Sequence, residues 1–537
     1  MTPELYPWQQ ECLTLWEQNE YRGIVNAVTG AGKTRLALAG ILRLAQITDR
    51  LRVKVVVPKK SLLPQWKQAL AALKTSCRSG KAGQPGIGIC GGGRTSPSEA
   101  DYMLYVINSA RYRLARQILW ELREGYTVLL IADECHNYTS GENQKIFEFL
   151  PYYWEPEKGK KLPGRYCSLG LSATARGPGY EQVLVPALGK EIYHYGLERA
   201  LKRGTICQFA IWQIAVSFQP DELEEYQALS DQLLHTRAEI LHLLPGLRSC
   251  EGSSFFIQLT ELAKNGSGKI QRLARAYLHL SYRRKRQVSM AGARTACVSR
   301  LLKSLDPGKQ VLVFGESIPQ IESLFHILSQ SYPSRVGRYH SKMGAQANQN
   351  ALERFREGSL RILLTCRALD EGLNVPEAAV GIILSGTSLE RQRLQRLGRL
   401  LRKSDGKRLA CLYYLFVSDS REERAYFPKG LEAFQVHNLS FEEADSRFYF
   451  PAYEKAAEAF LEQVKAQSLP EDIYLEALKC LERGYLREDW LLPEEECRAN
   501  AAAALEGRER NYWICMEQMA KYRHSTPSLF SSSRACP

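Results

Sequence analysis

The stretch AVTGAGKT, residues 27–34, decides how this chain is read. It has the spacing of a phosphate-binding loop: a small residue at position 27, where glycine is more usual, and then Gly32-Lys33-Thr34. The apolar run GIVNAV precedes it and TRLALAGILRLAQ follows, with apolar residues at 36, 38, 41, 42 and 44, so the order predicted is strand, loop, helix. Glycines let successive N–H groups close on phosphate oxygens, and the helix N-terminus adds its dipole. Thr29, Gly30, Ala31 and Gly32 then form the cradle, Lys33 reaches the outer phosphates, and Thr34 is placed to ligate Mg²⁺.

A second match, AKNGSGKI at 263–270, shows how loose the pattern is. It ends in Ile270, which has no oxygen for a metal, and helical patterning precedes it, so a Gly/Ser turn between helices is expected there.

A phosphate loop alone fits a kinase, a GTPase, a transporter ATPase or a motor. VLLIADECH, 128–136, narrows the choice. It is a continuous apolar strand run ending in two carboxylates, at the strand edge where open α/β sheets present ligands. Asp133 is placed to hold Mg²⁺, usually through water, and Glu134 to orient and deprotonate the attacking water. Taken alone, DECH would read as a solvated turn after a strand; beside the loop at 27–34 it reads as the second half of a hydrolytic site.

At 537 residues the chain is too long for one core, and three or four domains are expected. No run reaches the roughly 18 apolar residues of a membrane span, and MTPELYPWQQ has no basic, then apolar, secretory start, so a cytoplasmic location is expected, on the nucleoid if the source is bacterial. The 14 cysteines are scattered singly, which predicts reduced, mostly buried thiols. The net charge of +14 is uneven: residues 421–537 hold 15 Lys/Arg against 21 Asp/Glu, leaving +20 upstream. Such a field suits a polyanionic partner, nucleic acid before membrane.

With these residues in place the chain resembles superfamily 2 helicases and translocases, whose motifs it matches in order over roughly residues 5–402. LYPWQQECL, 5–13, looks like that family's adenine-recognition segment, with Gln9 reading the base and Tyr6 standing where relatives commonly have Arg. VKVVVPKKSLLPQW, 53–66, and VINSARY, 106–112, resemble strand ends that touch the nucleic-acid backbone, implicating Lys59, Lys60, Asn108 and Ser109. LSAT, 171–174, is similar to the motif whose Ser172 and Thr174 couple the nucleotide site to the bound strand. KQVLVFGES, 309–317, reads as the first strand of a second lobe, and RILLTCRALDEGLNVPEA, 361–378, looks like the next conserved strand and loop, with Thr365 toward nucleic acid. There Gly372 and Asn374 face the nucleotide, Asn374 replacing the usual Asp. QRLGRLLR, 395–402, resembles the arginine-finger motif: Arg399 and Arg402 opposite the γ-phosphate, Gln395 toward His136. Planar, always protonated forks suit the charge developing there. The resemblance implies an ATP- and Mg²⁺-dependent enzyme, complete when both lobes close on ATP. GIGICGGGR (86–94), LERALKRGTICQF (197–209) and the 365–378 string set it nearest the XPB-like and restriction-enzyme motor branch.

The implied fold class is α/β, two tandem RecA-like parallel-sheet lobes with an inserted helical unit and a helical C-terminal extension. The expected domains are 1–210 (ATP-binding lobe), 211–300 (helical basic insert), 301–425 (second lobe), 426–524 (helical extension) and 525–537 (disordered tail). The insert opens with DELEEYQALSDQLLHTRAEILHLL, apolar at 226, 229, 233, 240 and 244 and ended by Pro245-Gly246. From 264 to 300 it has ten Lys/Arg and no Asp/Glu, so Arg283, Arg284 and Lys285 are candidate phosphate contacts, with a solvated face or interlobe linker as the alternative. The acidic extension has no nuclease motif or metal cluster and is expected to pack or to dock a protein partner. Three functions remain open: a DNA helicase or translocase, favoured; an RNA helicase or RNA-stimulated ATPase; and a scaffold with a silent ATP site, against which Lys33, Asp133, Glu134, Arg399 and Arg402 all argue.

Overall fold

The computed structural model describes residues 4–73, 86–96, 100–148, 150, 162–250, 252–366, 378–384, 409–420, 435–468, 470–487, 489 and 492–525. They form two compact units, the first built on residues up to Gln208 and the second starting at Phe209.

The first unit is an eight-stranded sheet: β1 (Arg22–Ala27), β2 (Leu51–Val57), β3 (Ile87–Gly91), β4 (Arg94–Thr95), β5 (Tyr102–Val106), β6 (Thr127–Asp133), β7 (Arg165–Ser172) and β8 (Glu191–Tyr195). The spatial order is β4-β3-β5-β2-β6-β7-β1-β8. Only the short β3–β4 hairpin is antiparallel. Strands such as LRVKVVV and TVLLIAD are nearly uninterrupted apolar runs because helices cover both faces of a parallel sheet. Helix α1 (Pro7–Gln18) buries Trp8 and Trp16; the Trp16 indole donates to the Ser168 carbonyl (2.8 Å) and Trp8 stacks on Tyr195 at 4.6 Å. Helix α2 (Lys33–Ala45) follows β1, and α3 (Leu63–Leu73) follows β2. In β2 one polar side chain faces the interior: Lys54 pairs with Glu121 at 2.6 Å, both side chains shut from solvent.

The second unit holds β9 (Gln208–Val216), β10 (Val311–Gly315), β11 (Val336–Tyr339), β12 (Ile362–Cys366), β13 (Val380–Ile383), β14 (Leu409–Val417), β15 (Gln435–Glu442) and β16 (Arg447–Tyr449). Their order is β11-β12-β10-β13-β14-β9-β15-β16, parallel from β11 to β14. Two sequence expectations are corrected here. The segment after 210 is not helical from the start: β9 is buried from Ala210 to Ile214 and again at Val216, as a strand covered on both faces is, and pairs in parallel with β15. The C-terminal extension likewise begins with strand rather than helix, since β15 buries His437, Leu439 and Phe441 on alternate positions and forms a hairpin with β16.

Helices α4 (Pro220–Leu243), α5 (Gly252–Asn265) and α6 (Gly268–Met290) make the insert, with a core of Leu233, Ile240, Phe255, Leu259, Ala274 and Tyr277. The decoy phosphate-loop string falls in the turn between α5 and α6. Helix α7 (Gly292–Ser304) returns to the sheet through Cys297, Val298, Leu301 and Leu302. The extension's helices α8 (Pro451–Ala466), α9 (Glu471–Tyr485), α10 (Glu494–Ala503) and α11 (Gly507–Ser525) join the same core. The Trp212 indole of β9 donates to the Tyr485 carbonyl at 2.7 Å, so this region packs on the second sheet. Among the described residues every cysteine is a free thiol and all but Cys250 are buried. No described helix is long and apolar enough to cross a membrane.

Candidate nucleotide site and motor motifs

The sheet order sets the site. β1 and β6 flank β7, in register Asn26↔Ser172 and Asp133↔Leu171, so the phosphate loop, the LSAT segment and the acidic pair leave one edge of the sheet side by side.

Gly30 and Gly32 sit at φ +90° and +95°, the left-handed region that glycine alone enters freely. A Cβ on Gly32 would lie 2.8 Å from the Gln9 amide nitrogen. Gln9 is fully buried; its Nε2 donates to the Gly32 carbonyl (3.0 Å) and its Oε1 accepts from the Tyr6 N–H (2.9 Å). Both ends of the Gln9 amide are thus engaged within the fold, one capping the start of α1 and the other tying α1 to the phosphate loop. Lys33 donates to the Ala27 carbonyl at 3.0 Å and lies 3.8 Å from Glu134 Oε1. Thr29 Oγ1 is enclosed without a hydrogen-bond partner, while Thr34 is half-buried one residue into α2.

Asp133 ends β6 and is buried. Burial first, and then the neighbouring Glu134 charge, push its carboxyl up to about 6, opposed by a hydrogen bond from the Trp66 indole to Oδ2 at 2.8 Å. Glu134 has φ +48° and ψ +52°, a left-handed backbone that costs a side-chain-bearing residue about 1–3 kcal/mol. That turn separates the two acids. Glu134 Oε1 faces Lys33, and Oε2, buried without a hydrogen-bond partner, is 3.5 Å from His136 Nδ1. His136 Nδ1 meets Ser172 Oγ at 2.9 Å, and Ser172 Oγ accepts from the Thr174 N–H at 3.0 Å. Hydrogen bonds therefore join His136 through Ser172 to the LSAT segment, with the Glu134 carboxylate beside the same ring nitrogen. Two supports of the site were not read from the sequence. The Trp66 indole bonds Asp133, and the Tyr138 hydroxyl lies 2.8 Å from the Val56 carbonyl and 2.5 Å from that of Asp133; neither contact has a sequence signal.

On neighbouring strand ends (Val57↔Val106) Lys59, Lys60 and Asn108 are exposed and Ser109 half-exposed. Beside them a 450 Å³ cavity is lined by Lys60, Lys67, Gly91, Gly92 and Arg94 among others. Thr365 is different: it is 1% exposed inside β12, with its hydroxyl enclosed and unpartnered, so the structure does not present it on a surface. Arg283 pairs with Glu225 at 3.3 Å, Arg284 reaches Ser230 and lies over the Tyr226 ring, and Lys285 pairs with the buried Glu316. Gly372, Asn374, Gln395, Arg399 and Arg402 lie outside the described residues.

Comparison with known proteins agrees with this arrangement. The family model of the type III restriction enzyme res subunit matches residues 2–176, and that of the helicase conserved C-terminal domain matches residues 293–404. The DNA 3'-5' translocase XPB2 of Sulfurisphaera tokodaii is 29% identical over 414 residues, 76% of this chain and 80% of that protein. Mouse DNA polymerase theta is 23% identical over 432 residues, 74% of this chain but 15% of the much longer enzyme. Among solved structures, the DUF1998 helicase MrfA bound to DNA and AMPPNP shares the fold, with a TM-score of 0.52 at 13% identity over 81% of this chain and 52% of that one. With the phosphate loop and acidic strand end inside one family match, the parallel strands β10 to β13 of the second sheet inside the other, and the XPB2 likeness running through both, the chain belongs to the superfamily 2 helicases and translocases and is an ATP-hydrolysing enzyme of that group.

Proposed function

We propose that the chain is a DNA motor, a helicase or translocase that hydrolyses ATP to move along the backbone. The observation that carries this reading is the placement of Lys33, Asp133 and Glu134 on one sheet edge, with Glu134 linked through His136 to Ser172. A protein that only binds nucleic acid has no use for this set. The likeness to XPB2, a DNA translocase, favours DNA over RNA.

Lys33 binds the outer phosphates, the loop N–H groups close on them, and Glu134 accepts the proton of the attacking water. The buried Asp133 carboxylate and the Thr34 hydroxyl suit Mg²⁺, which takes few protein ligands and supplies charge neutralisation at the phosphates. Arg399 and Arg402 are proposed to stabilise the charge that develops on the γ-phosphoryl oxygens. The chain from His136 to Thr174 then transmits the nucleotide state toward the segments bearing Lys59, Lys60 and Asn108. The acidic face of the C-terminal extension is proposed to dock a protein partner.

The test is the steady-state ATPase rate without nucleic acid and with single-stranded, duplex and forked DNA and RNA, beside Lys33→Ala and Glu134→Gln. We expect stimulation chiefly by duplex or forked DNA, and for Glu134→Gln a loss of turnover of at least about 10²-fold with ATP binding retained. Stimulation by RNA alone would transfer the enzyme to RNA, and an unchanged rate in Glu134→Gln would refute its role as base.

A further inference from the structure

The basic run of the insert has a pattern that its sequence alone conceals. At about 100° per residue, Arg272, Arg275, His279, Arg283 and Arg286 fall within roughly 80° of arc on α6. All five are exposed, and the opposite face carries the buried Ala274, Tyr277 and Val288. The stripe is about 21 Å long. Helix α6 has no Asp or Glu, and Tyr282, 67% exposed, stands at the stripe's border. By contrast, Arg284 turns inward over Tyr226 and Lys285 is held by the buried Glu316. Arg283 has Glu225 as an exposed partner, a pairing that salt weakens and phosphate can displace, and the Arg275 Nε is engaged with the Ala263 carbonyl.

Resting on the reading of the chain as a nucleic-acid motor, we propose that the solvent face of α6 is a second nucleic-acid contact, gripping the phosphate backbone through Arg272, Arg275, Arg283 and Arg286. Its length matches about six nucleotides of one strand at 3.4 Å axial rise. A guanidinium fork suits phosphate oxygens, and α6 contributes no carboxylate of its own to the stripe, so a phosphate has the exposed Glu225 beside Arg283 to displace rather than an acid within the row. The insert has its own hydrophobic core, so the stripe is carried on a packed helix and presents a fixed row of charges. The contact reads no base edges, so it adds affinity to every sequence alike.

The experiment is fluorescence-anisotropy titration of the full chain with duplex DNA and with single-stranded RNA over a salt series. Arg272→Gln/Arg286→Gln is compared with wild type and with Arg508→Gln/Lys479→Gln, which removes equal charge from the C-terminal helices. The stripe variant is expected to flatten the slope of log K against log salt by about 1.8 on duplex DNA and about 1.4 on RNA, with thermal unfolding unchanged. The C-terminal variant should leave the slope within about 0.3 of wild type. A steep wild-type slope unaltered by Arg272→Gln/Arg286→Gln would overturn the stripe while leaving the motor intact. A wild type that binds neither nucleic acid would overturn the motor reading itself.

Discussion

A single indole shows how residues outside the recognisable motifs shape the site. Trp66 donates to Asp133 Oδ2 at 2.8 Å, which fixes the carboxylate's rotation and opposes the upward push of burial on its pKa. Trp66→Phe keeps the ring in the core but removes that donor. Hydrogen-bond partners of metal ligands commonly contribute 10–100-fold to metal affinity, so with Asp133 as the proposed Mg²⁺ ligand the Mg²⁺ concentration for half-maximal ATPase should rise about tenfold or more, with little change in thermal unfolding. An unchanged Mg²⁺ requirement would show that the indole only fills space. At this scale the sequence was informative where chemistry demands a residue type at a spacing: Lys33, Asp133 and Glu134 were singled out that way, and the fold brings them to one sheet edge. It was uninformative where the demand is spatial. Nothing in the order of residues says that Gln9 closes on Gly32 or that Glu134 takes a left-handed turn.

Among the elements, β2 is unusual for a central strand because Lys54 and Glu121 pair inside the apolar layers. Burial lowers the Lys54 pKa, and the Glu121 charge opposes that fall. Glu121→Gln strands a buried cation and should cost about 3–5 kcal/mol in urea unfolding, whereas Lys54→Met/Glu121→Leu should recover most of it. A loss below about 1 kcal/mol in Glu121→Gln would mean that water reaches the pair. Strands and helices with strong periodicity were legible from the sequence, including β1, β6, β10 and α4. β9 and β15 were missed because each lies beside long helical stretches and each completes its sheet with a partner more than two hundred residues away, which local pattern does not encode.

For the whole molecule, the parallel pairing of β9 with β15 means that the C-terminal region is part of the second unit's sheet rather than an appendage to it. Helices α8, α9 and α11 also place Leu461, Cys480 and Met516 in that unit's core. A chain ended after residue 420 should therefore lose the second unit's cooperative unfolding and aggregate, while residues up to Gln208 keep theirs. Calorimetry of the shortened chain would decide it, since a second transition preserved at its full temperature would show the extension to be dispensable. The same pairing bears on how the protein is made. The first sheet has all its strands once residue 195 has emerged, but β9 must wait for β15, complete at residue 442. At about 5–20 residues per second that leaves an unpaired hydrophobic strand edge exposed for roughly 10–45 s on the ribosome. The nascent second half thus has a long interval in which a chaperone, or a neighbouring nascent chain, can reach β9 before its own partner does.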